Sequence, residues 1–354
     1  MFACVGSRTS RERNAHGEGI SVYRVDSDTG ALELIQLVKD LVNPSFFALG
    51  SNGERLYAVH GDISDISAFK VDKASGKLTF LNRQSTQGKN PVHLSIDPSG
   101  RYVVVPNYVG ASLAVLPIAA DGSLQELTQL VHMEELIDQY RIEQKQSYPH
   151  FIPFDPTGEF VFVPDKGLDR VFTFRFKDGR LTPATPAFVE SRRASGPRHI
   201  AFHPESAYAY VSNELDSTVT AYQYSAGNGA LTPIQIVSSL PSDVDASGSR
   251  ASGIEIDRTG RFVYTSNRGH DSITIFRIDE RTGHLTFVDA EPTLGRKPRF
   301  VTSTPDGRFM YALNEDSDSI VAFAMNPSTG QLNPTGFSVE SGSPVCMTFS
   351  QYQA

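Results

Sequence analysis

The sequence contains no tryptophan and only two cysteines, Cys4 and Cys346, in 354 residues. So few thiols exclude a disulfide framework and favour a reducing compartment. Basic residues are the minority charge: 32 Lys and Arg stand against 40 Asp and Glu, a formal net charge of −8. A chain of that sign repels nucleic acid and anionic membranes unless it carries a local basic patch. Three arginines fall within residues 7–13, but Glu12 lies among them and the segment reads as a solvated loop. No apolar run approaches the ~20 residues of a membrane span. The N-terminus is too short to be a secretory signal and reads as a strand that begins at once. The expectation is a cytoplasmic protein with no nucleic-acid and no membrane partner. The nine histidines show no paired spacing of metal-ligand type, so no metal and no cofactor is expected. Helical periodicity is nearly missing as well, and only residues 132–146 look helix-like.

What is present instead is repetition. Apolar strands open at Pro44, Pro91, Pro149, Pro197, Ala251, Pro298 and Pro344. Each is followed by a turn and a second strand, clearest at Asp97-Pro-Ser-Gly, Asp155-Pro-Thr-Gly, Asp257-Arg-Thr-Gly and Thr304-Pro-Asp-Gly. Asp, Pro and Gly supply the turn dihedrals, and the β-branched and aromatic residues after them suit a strand. A third signal, Thr-Gly-x-Leu at Thr29, Thr282 and Thr329, marks a hairpin. Turn glycines recur at 47 residues, from Gly53 to Gly100 and from Gly260 to Gly307. Four strands fit one period, and seven periods fit the chain. This is an all-β, seven-bladed β-propeller with four antiparallel strands per blade, forming a single domain over residues 1–354. The chain opens on a second strand and ends on a first strand, so the C-terminal strand is expected to close the first blade and leave no free edge. That closure sets Cys4 and Cys346 on adjacent strands, where two buried free thiols are expected rather than a disulfide. Propeller scaffolds of the Trp-Asp and paired-glycine kinds are disfavoured, because their signatures are missing. A closed ring needs no partner, so a monomer is expected.

The repeat also places side chains. First strands start, and second strands end, at the same face of the disc. One ring at that face is Ser45, Val92, His150, Arg198, Ser252, Arg299 and Val345; the other is Ser7, Gly61, Tyr108, Lys166, Glu214, Arg268 and Glu315. Cations outnumber carboxylates in these rings although the whole chain is acidic. A small anionic ligand explains this, since Arg clamps carboxylate or phosphate with paired hydrogen bonds; mutual pairing of the charges is the alternative. Three long loops, residues 7–19, 132–146 and 238–250, fall at the same face and are expected to wall a pocket.

Four motifs then resemble one family. Tyr148-Pro-His-Phe-Ile-Pro-Phe-Asp-Pro-Thr-Gly, Gly196-Pro-Arg-His-Ile-Ala-Phe-His-Pro, Tyr210-Val-Ser-Asn-Glu-Leu-Asp-Ser-Thr-Val and Tyr264-Thr-Ser-Asn-Arg-Gly-His-Asp-Ser-Ile are similar to the seven-bladed lactonase family. It includes propeller-type 6-phosphogluconolactonases and a 3-carboxy-cis,cis-muconate lactonizing enzyme. The resemblance implies His150, Arg198, Glu214 and Arg268 as catalytic residues; the two rings add Lys166 and Arg299 as expected substrate-binding residues. It implies hydrolysis of an anionic sugar lactone, with muconate cyclisation or a non-catalytic binding role as alternatives. Glu214 or His150 would serve as base and the other as acid. The arginines favour an ionised carboxylate, which points to Glu214 as base. Arg198 and Arg268 would hold a phosphate or the oxyanion. His199 is expected to point away from Arg198, because strand side chains alternate.

Overall fold

The computed structural model describes residues 1–133 and 143–350 of the chain. They form seven antiparallel sheets, the blades of a propeller. The helical turns among these residues are short 3-10 segments, Arg11–Arg13, Ala246–Gly248 and Glu315–Ser317. In blade 1 the C-terminal strand Pro344–Ser350 pairs with Phe2–Ser7, which continues to Ile20–Val25 and Leu32–Val38. The two chain ends therefore share one sheet. Blades 2 to 7 follow in chain order, from the one opened by Pro44–Leu49 to the one opened by Pro298–Ser303. Blade 4 has an irregular inner segment, joined to its neighbour by isolated bridges at Pro149–Asp165 and Phe154–Val161. Pro149 and Pro153 have no N–H to donate, which breaks the ladder there.

Second strands are sandwiched between blades and read as continuous apolar runs; all six residues of Phe309–Asn314 are buried. Outer strands alternate, as in Leu332–Glu340. The core is correspondingly divided among the blade interfaces. Tyr311 and Ile320 of blade 7, for example, pack with Val5, Tyr23 and Phe349 of blade 1. Two polar links recur across these interfaces. Tyr57, Tyr210, Tyr264 and Tyr311 donate to the carbonyls of Gly122, Gly283, Gly330 and Gly30 in the next blade, at 3.0, 3.0, 2.8 and 2.7 Å. Gln36, Asn82, Gln129 and Gln235 bond the backbone of a hairpin leucine one blade on, at Leu78, Leu124, Leu181 and Leu285. These links give the Thr-Gly-x-Leu hairpin its meaning. At Gly30 φ is +73°, and a Cβ would lie 2.8 Å from the Phe309 ring, so only glycine lets the hairpin dock.

Cys4 and Cys346 are free and buried. Cys4 pairs with Thr348 and Cys346 with Gly6, so the thiols are offset along the ladder. Burial pushes the Cys4 thiol up to about 12.

Inner strands share one irregularity. In blades 1, 2, 5 and 7 the second residue is a β-bulge: Val345, Ser45, Arg198 and Arg299 are skipped in the pairing. A bulge bends the strand and re-aims side chains. As a result a bulge residue and its successor face the channel together: Ser45 with Phe46, Arg198 with His199, and Arg299 with Phe300 all line one cleft. His199 therefore does not point away from Arg198; the bulge cancels the alternation that predicted it. The successors also fill the channel. Phe46 of blade 2 meets the rings of His93, Phe151, His199 and Phe300 at centroid distances of 4.3, 5.9, 6.3 and 5.5 Å, from blades 3, 4, 5 and 7. Aromatic side chains thus plug the axis just below the charged mouth.

The blade 7 to blade 1 interface closes the ring, and Tyr311 is buried there. Tyr311→Phe leaves the Gly30 carbonyl without its donor and is expected to cost about 1–2 kcal/mol of unfolding free energy, measured by denaturant titration at unchanged m-value.

Candidate functional site

The site is built from the ends of second strands. Asn213, Asn267 and Asn314, at or next to those ends, are buried amides. Asn213 donates to Thr218 and Thr220 Oγ1 at 2.9 Å. Asn267 donates to the Ser239 carbonyl at 2.9 Å, and Asn314 to the Thr293 carbonyl at 3.1 Å. Each amide fastens the rim loops and fixes where the next residue emerges: Glu214, Arg268 and Glu315.

Glu214 sits at the centre of a buried ion cluster. Lys166 Nζ donates to its Oε1 at 2.6 Å. Arg268 Nη2 and Arg198 Nε lie 2.9 and 3.0 Å from its Oε2. Burial alone would raise the Glu214 pKa; Arg268, Lys166 and Arg198 overcome it and hold the carboxyl well below the usual range. His150 is the opposite case. Burial and then Arg198 hold its imidazole well below 6.5, with Glu214 opposing. Its Nδ1 has no hydrogen-bond partner among the described residues. Arg198 Nη1 donates to His199 Nε2 at 3.0 Å, and the His199 ring stacks on Phe151 at 4.1 Å. His199 thus accepts as a neutral imidazole and orients the guanidinium.

His150, Arg198 and Arg299 line the cleft above the aromatic plug, with Arg8, Ser45, Val92 and Val345 completing its rim. Six of the seven predicted first-strand positions therefore converge; Ser252 is the exception. Lys166, Glu214 and Arg268 adjoin them through the Glu214 contacts. The charges do pair with one another around Glu214, which was the alternative to a ligand. Pairing is looser at Glu315, whose nearest cations are Lys297, Arg299 and Arg8 at 3.5, 3.8 and 4.0 Å.

Of the long loops, that of residues 7–19 walls a pocket as expected, while residues 238–250 line neither the cleft nor the basin. Residues 7–19 contribute Arg8, Arg13, Asn14 and His16 to a wider basin of about 450 Å³ beside the cleft. Residues 238–250 reach Glu143 through Arg250, at 3.4 Å. The helix-like stretch expected at 132–146 falls mostly on residues 134–142, outside the described residues.

Three residues of the site were not anticipated. Arg8 belongs to a segment that reads as a solvated loop, yet it is 2 % exposed and borders both cleft and basin. Residues 11–13 are exposed as expected, so only the loop's first arginine turns inward. Its signal was its place, directly after the ring residue Ser7. His199 and Phe46 were hidden by the bulge, which shows in sequence only as a proline two residues earlier.

Known proteins resemble the chain over most of its length. The family model "Lactonase, 7-bladed beta-propeller" matches residues 2–349. A 6-phosphogluconolactonase of Bacillus subtilis is 37% identical over 286 residues, covering 80% of each chain. One from Formosa agariphila is 32% identical over 307 residues, covering 83% of this chain and 84% of its own. The solved structure of a periplasmic gluconolactonase from Pseudomonas aeruginosa superposes with a TM-score of 0.90 at 31% identity, covering 99% of both chains.

Glu214→Gln leaves Arg198 buried without its counter-ion, and breaking a buried pair from one side costs about 3 kcal/mol or more. Denaturant unfolding of that variant is expected to show a loss of this size.

Proposed function

The chain belongs to the seven-bladed β-propeller lactonase family, and from that premise we propose that its mouth hydrolyses an anionic sugar lactone of the 6-phosphogluconolactone type. One observation carries the reading: a neutral imidazole with a free ring nitrogen stands beside a guanidinium locked in place by a buried carboxylate. Names of relatives at 37% and 32% identity point to the same substrate. The closed ring and the two buried thiols support a cytoplasmic monomer.

The charge environment favours the reverse of the expected acid and base roles. A carboxylate clasped by three cations is a weak proton acceptor, and an imidazole with a lowered pKa carries no proton to give at neutral pH. His150 is therefore the base and Glu214 a positioning residue. Water attacks the lactone carbonyl while the His150 imidazole takes its proton. The negative charge that develops on the carbonyl oxygen is met by Arg198, held by Glu214 and His199. The intermediate collapses with cleavage of the ring C–O bond, and the imidazolium returns its proton to the departing alkoxide. The product is the open hydroxy acid. Arg268 and Lys166 keep Glu214 ionised, and Arg299 faces the substrate from the far side of the cleft.

The test is hydrolysis of 6-phosphogluconolactone by the purified protein, followed by proton release. His150→Gln is expected to lower kcat by about 10²–10⁴ and Arg198→Ala by about 10²–10³. Conversion of 3-carboxy-cis,cis-muconate to its lactone, with no hydrolysis of the sugar lactone, would overturn the reading.

A pH profile tests the lowered pKa of the histidine. His150 must be neutral to act, and its pKa lies below 6.5. Hence kcat/KM is expected to rise with pH only well below 6.5 and to run level through 6.5. An ordinary imidazole inflection near 6.5 would contradict the assignment.

A further inference from the structure

The Glu214 cluster has a recurrence elsewhere in the ring. It combines an Arg on a first-strand bulge, a Glu at the end of the same blade's second strand, and an Arg at the second-strand end of the next blade. Arg198 and Glu214 of blade 5 and Arg268 of blade 6 make one such set. Arg299 and Glu315 of blade 7 make another with Arg8 of blade 1, two blades further round. Lys297 adds a third cation, as Lys166 does in the first set.

The two sets differ in how tightly they are closed. Around Glu214 the contacts are 2.6–3.0 Å. Around Glu315 they are 3.5–4.0 Å, and Glu315 Oε2 makes no hydrogen bond among the described residues. Arg8 is 2 % exposed, and its Nε and Nη1 also lack hydrogen-bond partners there. A guanidinium so buried with unmet donors is costly. The neighbouring carboxylates do not settle it: Asp316 takes Lys297 at 3.0 Å and Asp62 takes Arg13. Burial and the nearby Arg299 and Arg13 push the Arg8 pKa down to about 9, which an added anion would reverse. Position 61 is a glycine, and a Cβ there would lie 2.4 Å from Arg8 Nη1, so the space is kept for this side chain. Arg8 also borders both the narrow cleft and the wider basin of about 450 Å³, whose lining includes the half-buried Lys297 and the buried Glu315.

We propose that Arg8, Lys297 and Arg299 form a second anion subsite, which holds a phosphate or carboxylate group of the substrate remote from the lactone. The subsite's occupant rests on the lactonase reading; its affinity for an anion does not. An oxyanion here would take the open donors of Arg8 and supplement Glu315 as counter-ion. The lactone ring would then reach over Arg8 into the cleft at His150 and Arg198, so that the two equivalent sets divide the substrate between binding and chemistry.

The experiment uses the full-length chain in two arms. In the first, inorganic phosphate is titrated calorimetrically into wild type, Arg8→Met and Lys297→Gln. Arg8→Met is expected to weaken binding about tenfold or more, as for a lost charge-assisted hydrogen bond, and Lys297→Gln by about two- to fivefold, as for a partly exposed charge. In the second, kcat/KM is compared for 6-phosphogluconolactone and unphosphorylated glucono-1,5-lactone. The ratio of the two is expected to fall about tenfold in Arg8→Met, with KM rather than kcat carrying the change. Equal losses on both lactones, or phosphate binding indifferent to both substitutions, would overturn the subsite. If neither lactone is hydrolysed by wild type while phosphate still binds through Arg8, the lactonase reading fails and the subsite stands. Should Arg8→Met not fold, the rim variant Lys297→Gln decides by the same ratio and titration.

Discussion

The mouth of this propeller depends on one buried carboxylate. Removing a charge from water costs several kcal/mol unless partners surround it, and Glu214 has three, each from a different strand and together from three blades. The cluster therefore ties blades 4, 5 and 6 at their rim. Any change in the angle between those blades would pull a cation away from a shared anion. Signs also alternate along the second-strand ends: Lys166, Glu214, Arg268, Glu315 and then Arg8, across blades 4 to 7 and 1. Alternation lets several cations crowd one small opening without facing one another unscreened.

The bulge is what turns a regular ring into a site. A straight inner strand would show the channel only every second side chain, giving seven positions at the mouth. With the bulge, two successive residues face inward. The upper of each pair carries charge or hydroxyl and the lower carries a ring: Arg198 over His199, Arg299 over Phe300, Ser45 over Phe46. Charged groups are thereby set on an apolar floor. That floor lowers the local dielectric, which strengthens each ion pair and also drives His150 neutral.

Much of this could be read in the chain itself. The period of 47 residues, the prolines that open first strands and the Asp/Thr–Gly turns yield seven blades and the shared first blade. Because the repeat maps equivalent positions onto one another, it also brings His150, Arg198, Glu214, Arg268, Lys166 and Arg299 to one face. What it does not carry is local departure from regularity. A bulge depends on pairing register, a relation between strands, so His199 was assigned to the wrong side. Arg8 was missed because polarity in a short stretch cannot separate a loop's inward first residue from its solvated remainder. Depth of burial is a third such feature: at His150 it acts with Arg198 to push the pKa down, while at Glu214 it opposes the cations that hold the carboxyl ionised.

The aromatic plug gives the ring a direction. A propeller axis open at both faces would let reactant arrive at one side and leave at the other. With Phe46 wedged among rings from four other blades, the axis is a blind well with a single door. Arrivals and departures must then take turns. The hydrolysis proposed above would form a carboxylate just where arginines are thickest, and their attraction would oppose its departure.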